Sequence, residues 1–544
     1  MSATVTPAVP SVSPVNAAVA PVLIGDAWQP SSHSGTFRAI NPRNKQPIGD
    51  EYPVSSWPDI EAALAAADSA AAQLRALPDA GRRIADFLER YAAGIEARAQ
   101  DLAAIATEES GLPVKPRLLD VELPRTINQL RAAAATARDG GWQRPTIDSK
   151  LNLRSCLAPL GPVWVIGPNN FPFAFSGIAG GDFASAIVAG NPVIAKGHPI
   201  HPGSSRILAE IAHAAAKDLL PAGTVQLLYH MSNEDGLKLV ADPRLKAISF
   251  TGSRGGGLAI KAAADKTGKI FFGELSSVNP VVVLPGALAE NAAGIADQFG
   301  TSMLMGTGQF CTKPGIVFVQ AGEHAETFIE AVRAKLVATQ PGLLFSEGGV
   351  KSITAALASI KKAGATVLAG DQPHETAGYC VPNTLLRVSG EQFLKDSHAF
   401  QTEAFGNAAL VVVVNGLAET LAILSTFEGN LTGTVYSAVA GSDDAAYDAV
   451  AAVLRPRVGR LINDKMPTGV AVSPAMNHGG PFPATSQPHF TSVGFPAAAL
   501  RFTQLESFDG VREHRLPACL KNANPTGKLW RLIDGNWTAD DVKA

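Results

Sequence analysis

The sequence predicts an α/β protein made of two successive strand–helix series. Three observations carry that reading. After Leu157, short apolar runs alternate with helical segments, the pattern of βαβ units around a parallel sheet. A second alternating set runs from Val281 to about Ile462. Charged residues make up 17% of the 544 positions, below the roughly 25% of ordinary soluble domains, and a low charge fraction suits large buried sheets. At roughly 150 residues per domain the length corresponds to two to four domains. A net charge of −3, from 45 Lys+Arg against 48 Asp+Glu, argues against nucleic acid or an anionic membrane as the main partner. No apolar run reaches the roughly 18–20 residues of a membrane span. The four cysteines (Cys156, Cys311, Cys380, Cys519) form neither a CxxC pair nor a dense disulfide framework. Composition therefore points to a soluble enzyme in a reducing, cytoplasmic compartment.

The elements follow in order. MSATVTPAVPSVSPVNAAVAPV carries no Lys or Arg, and its repeated prolines break any signal-peptide core, so residues 1–20 read as a flexible tail. From Asp59 to about Ala137 apolar residues recur at three- and four-residue intervals. Gly111, followed by Leu-Pro, supplies a stop within that helical stretch. GGWQRPTIDSKLN (140–152) is polar and reads as a linker or exposed ribbon. The first strand series is PVWVIG, PVIAK, TVQLLY, AISF and KIFFGEL, with helices such as SSRILAEIAHAAAKDLL (204–220) between them. The second series is VVVL, GIVFVQ, TVLAG, ALVVVV and RLIND. From HGGPFPATSQPHF onward the chain is rich in Gly and Pro and irregular, suited to wrapping the surface or crossing to a neighbouring subunit.

Several chemistries are excluded. Gly268-Lys269 lacks the rest of a P-loop, and neither HExxH, GxSxG nor an early GxGxxG occurs. His198 and His201 lie in the proline-punctuated KGHPIHPG, which favours a loop over a metal site, so no metal is expected. Four motifs remain, each with a structural alternative. FTGSRGGG (250–257) directly follows a strand. Gly252, Ser253 and Gly257 there form either an ordinary turn or a pyrophosphate-binding helix start. In GTGQFCTKPG (306–315), Cys311 is either a small buried hydrophobe or an accessible thiolate, which needs its pKa pulled below about 8.5. In GELSSVNP (273–280), Glu274 is either a solvated strand end or a general base. In GPNNFPF (167–173), Asn169 and Asn170 are either turn residues or donors to an oxyanion.

Taken together, GPNNFPF, GNPVIAKGHP, FTGS, GELSSVNP, GQFCTKPG and TEAFGN, in this order from about Val22 to Arg501, resemble the aldehyde dehydrogenase superfamily. FCTKPG, ELSSVNPVVVLP and KGHPIHPG resemble its NADP-linked branch, which includes 2,5-dioxopentanoate (α-ketoglutarate semialdehyde) and bacterial fatty-aldehyde dehydrogenases. The resemblance implies a fold with a Rossmann-like cofactor domain (21–142 and 160–276) and an α/β catalytic domain (277–484). It also implies a β oligomerisation arm (143–159 and 485–503), which leaves 504–544 as a C-terminal extension. It assigns Cys311 as the nucleophile that forms a thiohemiacetal and then a thioester, Asn170 as the oxyanion donor, and Glu274 as the base for hydrolysis. Lys196 matches the residue contacting the adenosine ribose, and Gly252, Ser253 and Gly257 match the pyrophosphate turn. Glu403 matches the holder of the nicotinamide ribose, and Phe405 the aromatic packed near the ring.

Two departures stand out. Pro199 occupies the position where many NAD-preferring members carry a Glu, so NADP, or both cofactors, is the expectation. ELSSV replaces ELGGK, and Asn407 replaces a common Pro, which bears on cofactor positioning. For a carboxylated aldehyde the candidate cations are Arg154, Arg254, Arg457 and Arg460. For a long-chain aldehyde, Phe171, Phe173, Phe175 and Phe310 would supply an apolar tunnel. A homodimer or homotetramer is implied. A non-catalytic protein of this fold, or a cofactor-independent hydrolase at Cys311, are the competing classes.

Overall fold

The computed structural model describes residues 19–372 and 377–543. All but the last two residues of the expected flexible tail lie outside the described residues. The first strand series forms a seven-stranded sheet. Its order is Ile270–Glu274, Ala247–Thr251, Val163–Ile166, Val193–Lys196, Val225–Leu228, Val22–Ile24, Ala27–Gln29. The first five strands are parallel, and Val22–Ile24 pairs antiparallel with both of its neighbours, Val225–Leu228 and Ala27–Gln29. The chain starts the parallel part at Val163–Ile166 and builds outward on both sides, so the topological switch lies beside that strand. Ligands of such sheets sit at this point, beyond the strands' carboxyl ends. Helices cover the sheet through apolar stripes. Ala80–Ala97 buries Ile84, Phe87, Leu88, Tyr91 and Ile95, a three- and four-residue spacing that lines one helix face. Each such aromatic contributes about 1.5–3 kcal/mol on burial. Gly111 ends the helix Ala99–Ser110 in the left-handed region, at φ 72°.

The second series forms another seven-stranded sheet, ordered Thr366–Ala369, Thr384–Ser389, Ala408–Val414, Ile316–Gln320, Pro280–Val283, Asn430–Tyr436, Val458–Asn463. Only the Thr366–Ala369 edge strand is antiparallel. Alternate residues feed two cores. Val282, Phe318 and Val412 face one side, and Val281, Val317 and Val411 the other. The sequence reading missed two of these strands. NLTGTVY looks polar, yet all seven residues are buried, and Gly433 is needed because a Cβ there would meet Val458 at 2.9 Å. TLLRVS carries Arg387, which leaves the sheet to pair with Glu326. A hairpin of His33–Asn41 and Gln46–Ser55, joined by His230–Met231, was also not anticipated.

A five-stranded sheet projects from this body, ordered Thr503–Asp509, Leu153–Pro159, Thr146–Asp148, Arg531–Ile533, Asn536–Thr538. This redraws the expected arm. The strand beside Leu153–Pro159 begins at Thr503, and the segment read as a C-terminal extension supplies three of the five strands. Its Leu516, Cys519, Leu520, Leu529 and Ile533 close a small core over Ile147 and Cys156. Residues 485–502 instead return to the main body, where Phe502 is fully buried against the first sheet. Asn191 ties these pieces together. It accepts from Gly161 N at 2.8 Å and donates to the carbonyls of Ala186 and Phe502, both at 3.0 Å. Among the described residues, no helix is long and apolar enough to cross a membrane.

Candidate active site

The carboxyl edge of the first sheet faces the loop that precedes Ile316–Gln320 in the second. Two cavities meet in the cleft between them. One, of about 420 Å³, follows the carboxyl ends of the parallel strands and is lined by Asn170, Gly252, Ser253, Glu274, Cys311, Glu403 and Phe405, with Asn169 and His198. Seven of the nine residues singled out from the sequence are thus brought together. The other cavity, of about 490 Å³, is mainly apolar and reaches Cys311 and His478 from the opposite side.

Local sequence explains how each group arrives. Cys311 is held by its loop. Gly306, Thr307 and Gly308 all have φ near +60°, and a Cβ on Gly308 would lie 2.1 Å from the Gly406 carbonyl. The Cys311 loop and the EAFGN loop therefore touch backbone to backbone. Asn279, itself left-handed at φ 49°, donates to the carbonyls of Cys311 at 2.8 Å and Lys313 at 2.9 Å. Asn170 donates to Gln309 O at 3.0 Å with one of its two amide hydrogens. The Asn170 carbonyl accepts from Arg117 Nη2 at 3.0 Å. Arg117 is paired with the fully buried Glu122, which also accepts from the backbone N–H groups of Phe173 and Ala174. Glu122 thus organises the NNFPF turn.

The residue that sequence reasoning missed is His478. Its Nε2 lies 3.0 Å from Glu274 Oε1 and 3.3 Å from Cys311 Sγ. The irregular stretch after it is pinned to the strand that carries Glu274. Leu275 N donates to Ala484 O at 2.7 Å, Ser486 N to Gly273 O at 3.0 Å, and Gly273 N to Ser486 Oγ at 2.7 Å. The glycines that follow it are steric necessities, since a Cβ on Gly480 would meet Asn430 O at 2.0 Å. A histidine followed by two obligatory glycines was the available signal. The Glu274, Cys311 and His478 ligand-type atoms lie within 4.8 Å of one another, a cluster the no-metal expectation had not foreseen.

Electrostatics here oppose a resting thiolate. Burial pushes the Cys311 thiol well above its usual range, and the negative charge and hydrogen bond of Glu274 push the same way; Arg460 pulls back. A thiol lowered below about 8.5 was the expectation; burial and Glu274 raise it instead, and His478 Nε2 lies 3.3 Å from the sulfur. Burial likewise raises Glu403 to about 7. Two expected cofactor residues stand apart from the cavity wall. Lys196 donates to Gly197 O at 3.3 Å, and burial lowers it to about 8. Gly257 serves packing, since a Cβ there would lie 2.2 Å from Leu275. The remaining residues suit a dinucleotide. Ser253 caps the helix Arg254–Lys266 by accepting from Gly256 N, and open space surrounds Gly255. A buried carboxylate and an aromatic ring stand further along the wall.

The four candidate arginines fall elsewhere. Arg154 is in the arm, bound to Asn522 and to the Leu520 carbonyl. Arg254 is paired with Glu428, and Arg457 holds the Ser425 and Val453 carbonyls. Arg460 lies near enough to act on Cys311 but is engaged with Pro467 O and Gly469 O. Phe171, Phe175 and Phe310 line the second cavity, whereas Phe173 is core.

A family model described as the aldehyde dehydrogenase family matches residues 28–480. The chain belongs to the aldehyde dehydrogenase family. It is an oxidoreductase acting on aldehydes with NAD(P). It is 38% identical over 534 residues to alpha-ketoglutaric semialdehyde dehydrogenase 2 of Azospirillum brasilense, covering 94% of this chain and 98% of that protein. It is 33% identical over 518 residues to alpha-ketoglutaric semialdehyde dehydrogenase of Acinetobacter baylyi, covering 93% and 96%. Lactaldehyde dehydrogenase from Escherichia coli shares the fold, with a TM-score of 0.76 at 23% identity over 90% of this chain and 98% of that one.

The raised thiol has a measurable consequence. Because the neutral form is favoured, alkylation of Cys311 by iodoacetamide in the cofactor-free enzyme is expected to keep rising through about pH 9. Mass spectrometry of the Cys311 peptide reads the rate, and a plateau near neutral pH contradicts this electrostatic picture.

Proposed function

We propose that the enzyme oxidises a semialdehyde carrying a carboxylate, of the 2,5-dioxopentanoate type, with NADP preferred, through a covalent intermediate on Cys311. The observation that carries the mechanism is the position of His478 Nε2 between Cys311 Sγ and Glu274 Oε1. The names of the relatives from Azospirillum brasilense and Acinetobacter baylyi support the substrate class.

The imidazole takes the thiol proton, and the imidazolium then faces a thiolate and a carboxylate at once, which stabilises both. The thiolate attacks the aldehyde carbon. The second amide hydrogen of Asn170 is free to meet the oxyanion, while Gln309 O holds the first. Ser253 and the amides behind it, Glu403 and Phe405 would hold NAD(P), which would supply the acceptor for the hydride lost from the thiohemiacetal carbon. A thioester remains on Cys311. Glu274 draws a proton from water, whose oxygen attacks the thioester; the C–S bond breaks, the acid leaves as the carboxylate with its proton passed through Glu274 to solvent, and the departing thiolate recovers its proton from the His478 imidazolium.

On this reading Cys311→Ala abolishes aldehyde-dependent formation of reduced cofactor, and His478→Ala lowers kcat by about 100-fold. A His478→Ala enzyme with the wild-type kcat and pH profile excludes the histidine as base. For the cofactor, Pro199 presents no carboxylate to a 2′-phosphate, and Lys196 ends the strand Val193–Lys196 at the same carboxyl edge of the sheet. Comparison of kcat/KM should favour NADP over NAD, and a clear preference for NAD overturns that part.

We further infer a homo-oligomer in a reducing, cytoplasmic setting, in keeping with four free cysteines. Leu151, Leu153, Leu505, Trp530 and Trp537 on or beside the arm sheet are exposed, an apolar surface suited to a second copy. Light scattering is expected to give at least twice the 56.4 kDa chain mass; a single monomer species refutes it.

A further inference from the structure

The second cavity is walled by Leu112, Val121, Phe171, Phe310 and Val470 among others, and two cations interrupt this apolar lining: Arg117 and Arg125. No carboxylate lines it among the described residues. Arg117 has both Nη groups engaged, with Glu122 and the Asn170 carbonyl, which leaves only Nε without a partner, and its guanidinium lies 4.2 Å from the Phe171 ring centre. Arg125 differs. Its Nη1 donates to Val470 O at 2.6 Å, which anchors the group, and its guanidinium lies 5.2 Å from the Phe175 ring centre. Its Nε and Nη2 are buried and have no partner among the described residues. Those two nitrogens form one edge of the planar guanidinium, the edge that receives a carboxylate through two parallel hydrogen bonds. Arg125 and Cys311 line the same cavity, so a group held at Arg125 shares that space with the sulfur.

We infer that Arg125 is the specificity-determining residue of this enzyme, receiving the distal carboxylate of a short ω-oxo acid through Nε and Nη2 while the aldehyde lies at Cys311. The inference rests on the proposed dehydrogenase reading and adds to it the group that selects the substrate. A neutral aldehyde of equal length gains the apolar walls but leaves this edge unpaired. Arg460, also near the sulfur, gives Nη1 and Nη2 to loop carbonyls and leaves only Nε without a partner, so it offers no open two-nitrogen edge.

The test is steady-state kinetics of the full-length enzyme with NADP on 2,5-dioxopentanoate and on pentanal. Wild type is compared with Arg125→Met and with Arg125→Gln, which keeps a donor for Val470 O. The ratio of kcat/KM for the oxo acid over that for pentanal is expected to fall roughly 100-fold in both variants, through KM for the oxo acid. Glutarate, competitive with the oxo acid in wild type, should lose its inhibition in the variants. A ratio that stays at the wild-type value, with both aldehydes losing equally, overturns the assignment and leaves the dehydrogenase reading standing. A wild-type enzyme inactive on both aldehydes overturns the two together.

Discussion

The reacting centre depends on a short backbone seam between the end of the strand Ile270–Glu274 and residues 484–486. Three hydrogen bonds across it, each 2.7 to 3.0 Å, fasten an otherwise irregular stretch to the first sheet. The stretch also returns to the ends of the second sheet, where Gly480 packs on the Asn430 carbonyl. One strand of chain therefore spans both sheets at the cleft. It delivers His478 to a position that neither sheet reaches with its own residues. Glu274 comes from one sheet and Cys311 from the loop of the other, and the imidazole joins them.

The same cleft concentrates groups that resist ionisation together. Cys311, Glu274 and Glu403 are mutually repulsive when charged, and burial adds to the cost for Cys311 and Glu403. Cations are present but mostly committed: Lys313 Nζ to the Ala404 and Ala408 carbonyls, Arg117 to Glu122, Arg460 to loop carbonyls. A site so arranged favours the neutral Cys311 thiol. On the proposed mechanism that calls for base-assisted attack rather than a standing thiolate.

Much of the fold was legible because parallel strands buried on both faces read as apolar runs. Both alternating series emerged from that texture, as did the helices between Asp59 and Ala137. What escaped were elements whose burial is not written in their composition, such as NLTGTVY, where Asn430 and Thr432 find hydrogen-bond partners in the interior. The hairpin at His33–Asn41 lacks a clean alternation. The arm escaped in part because its strands lie hundreds of residues apart in the chain, and no local signal records that pairing. At the site, residues within compact motifs were found, while His478, Arg117, Arg125 and Glu122 were not. Each of those works through a partner distant in sequence: His478 through Glu274, Arg125 through Val470. Of the named residues, Gly257 shows the converse, a motif position whose glycine answers to Leu275 packing.

The contact of Gly308 with the Gly406 carbonyl has a consequence for anyone who would re-engineer this protein. With no side chain between them, the loop that bears the sulfur and the loop that bears Glu403 and Phe405 share one mechanical boundary. Neither can be lengthened, shifted or stiffened alone. A change made to retune the grip on one ligand is transmitted, backbone to backbone, to the geometry of bond formation. On the proposed roles of these loops, affinity and turnover are thereby coupled through one backbone contact.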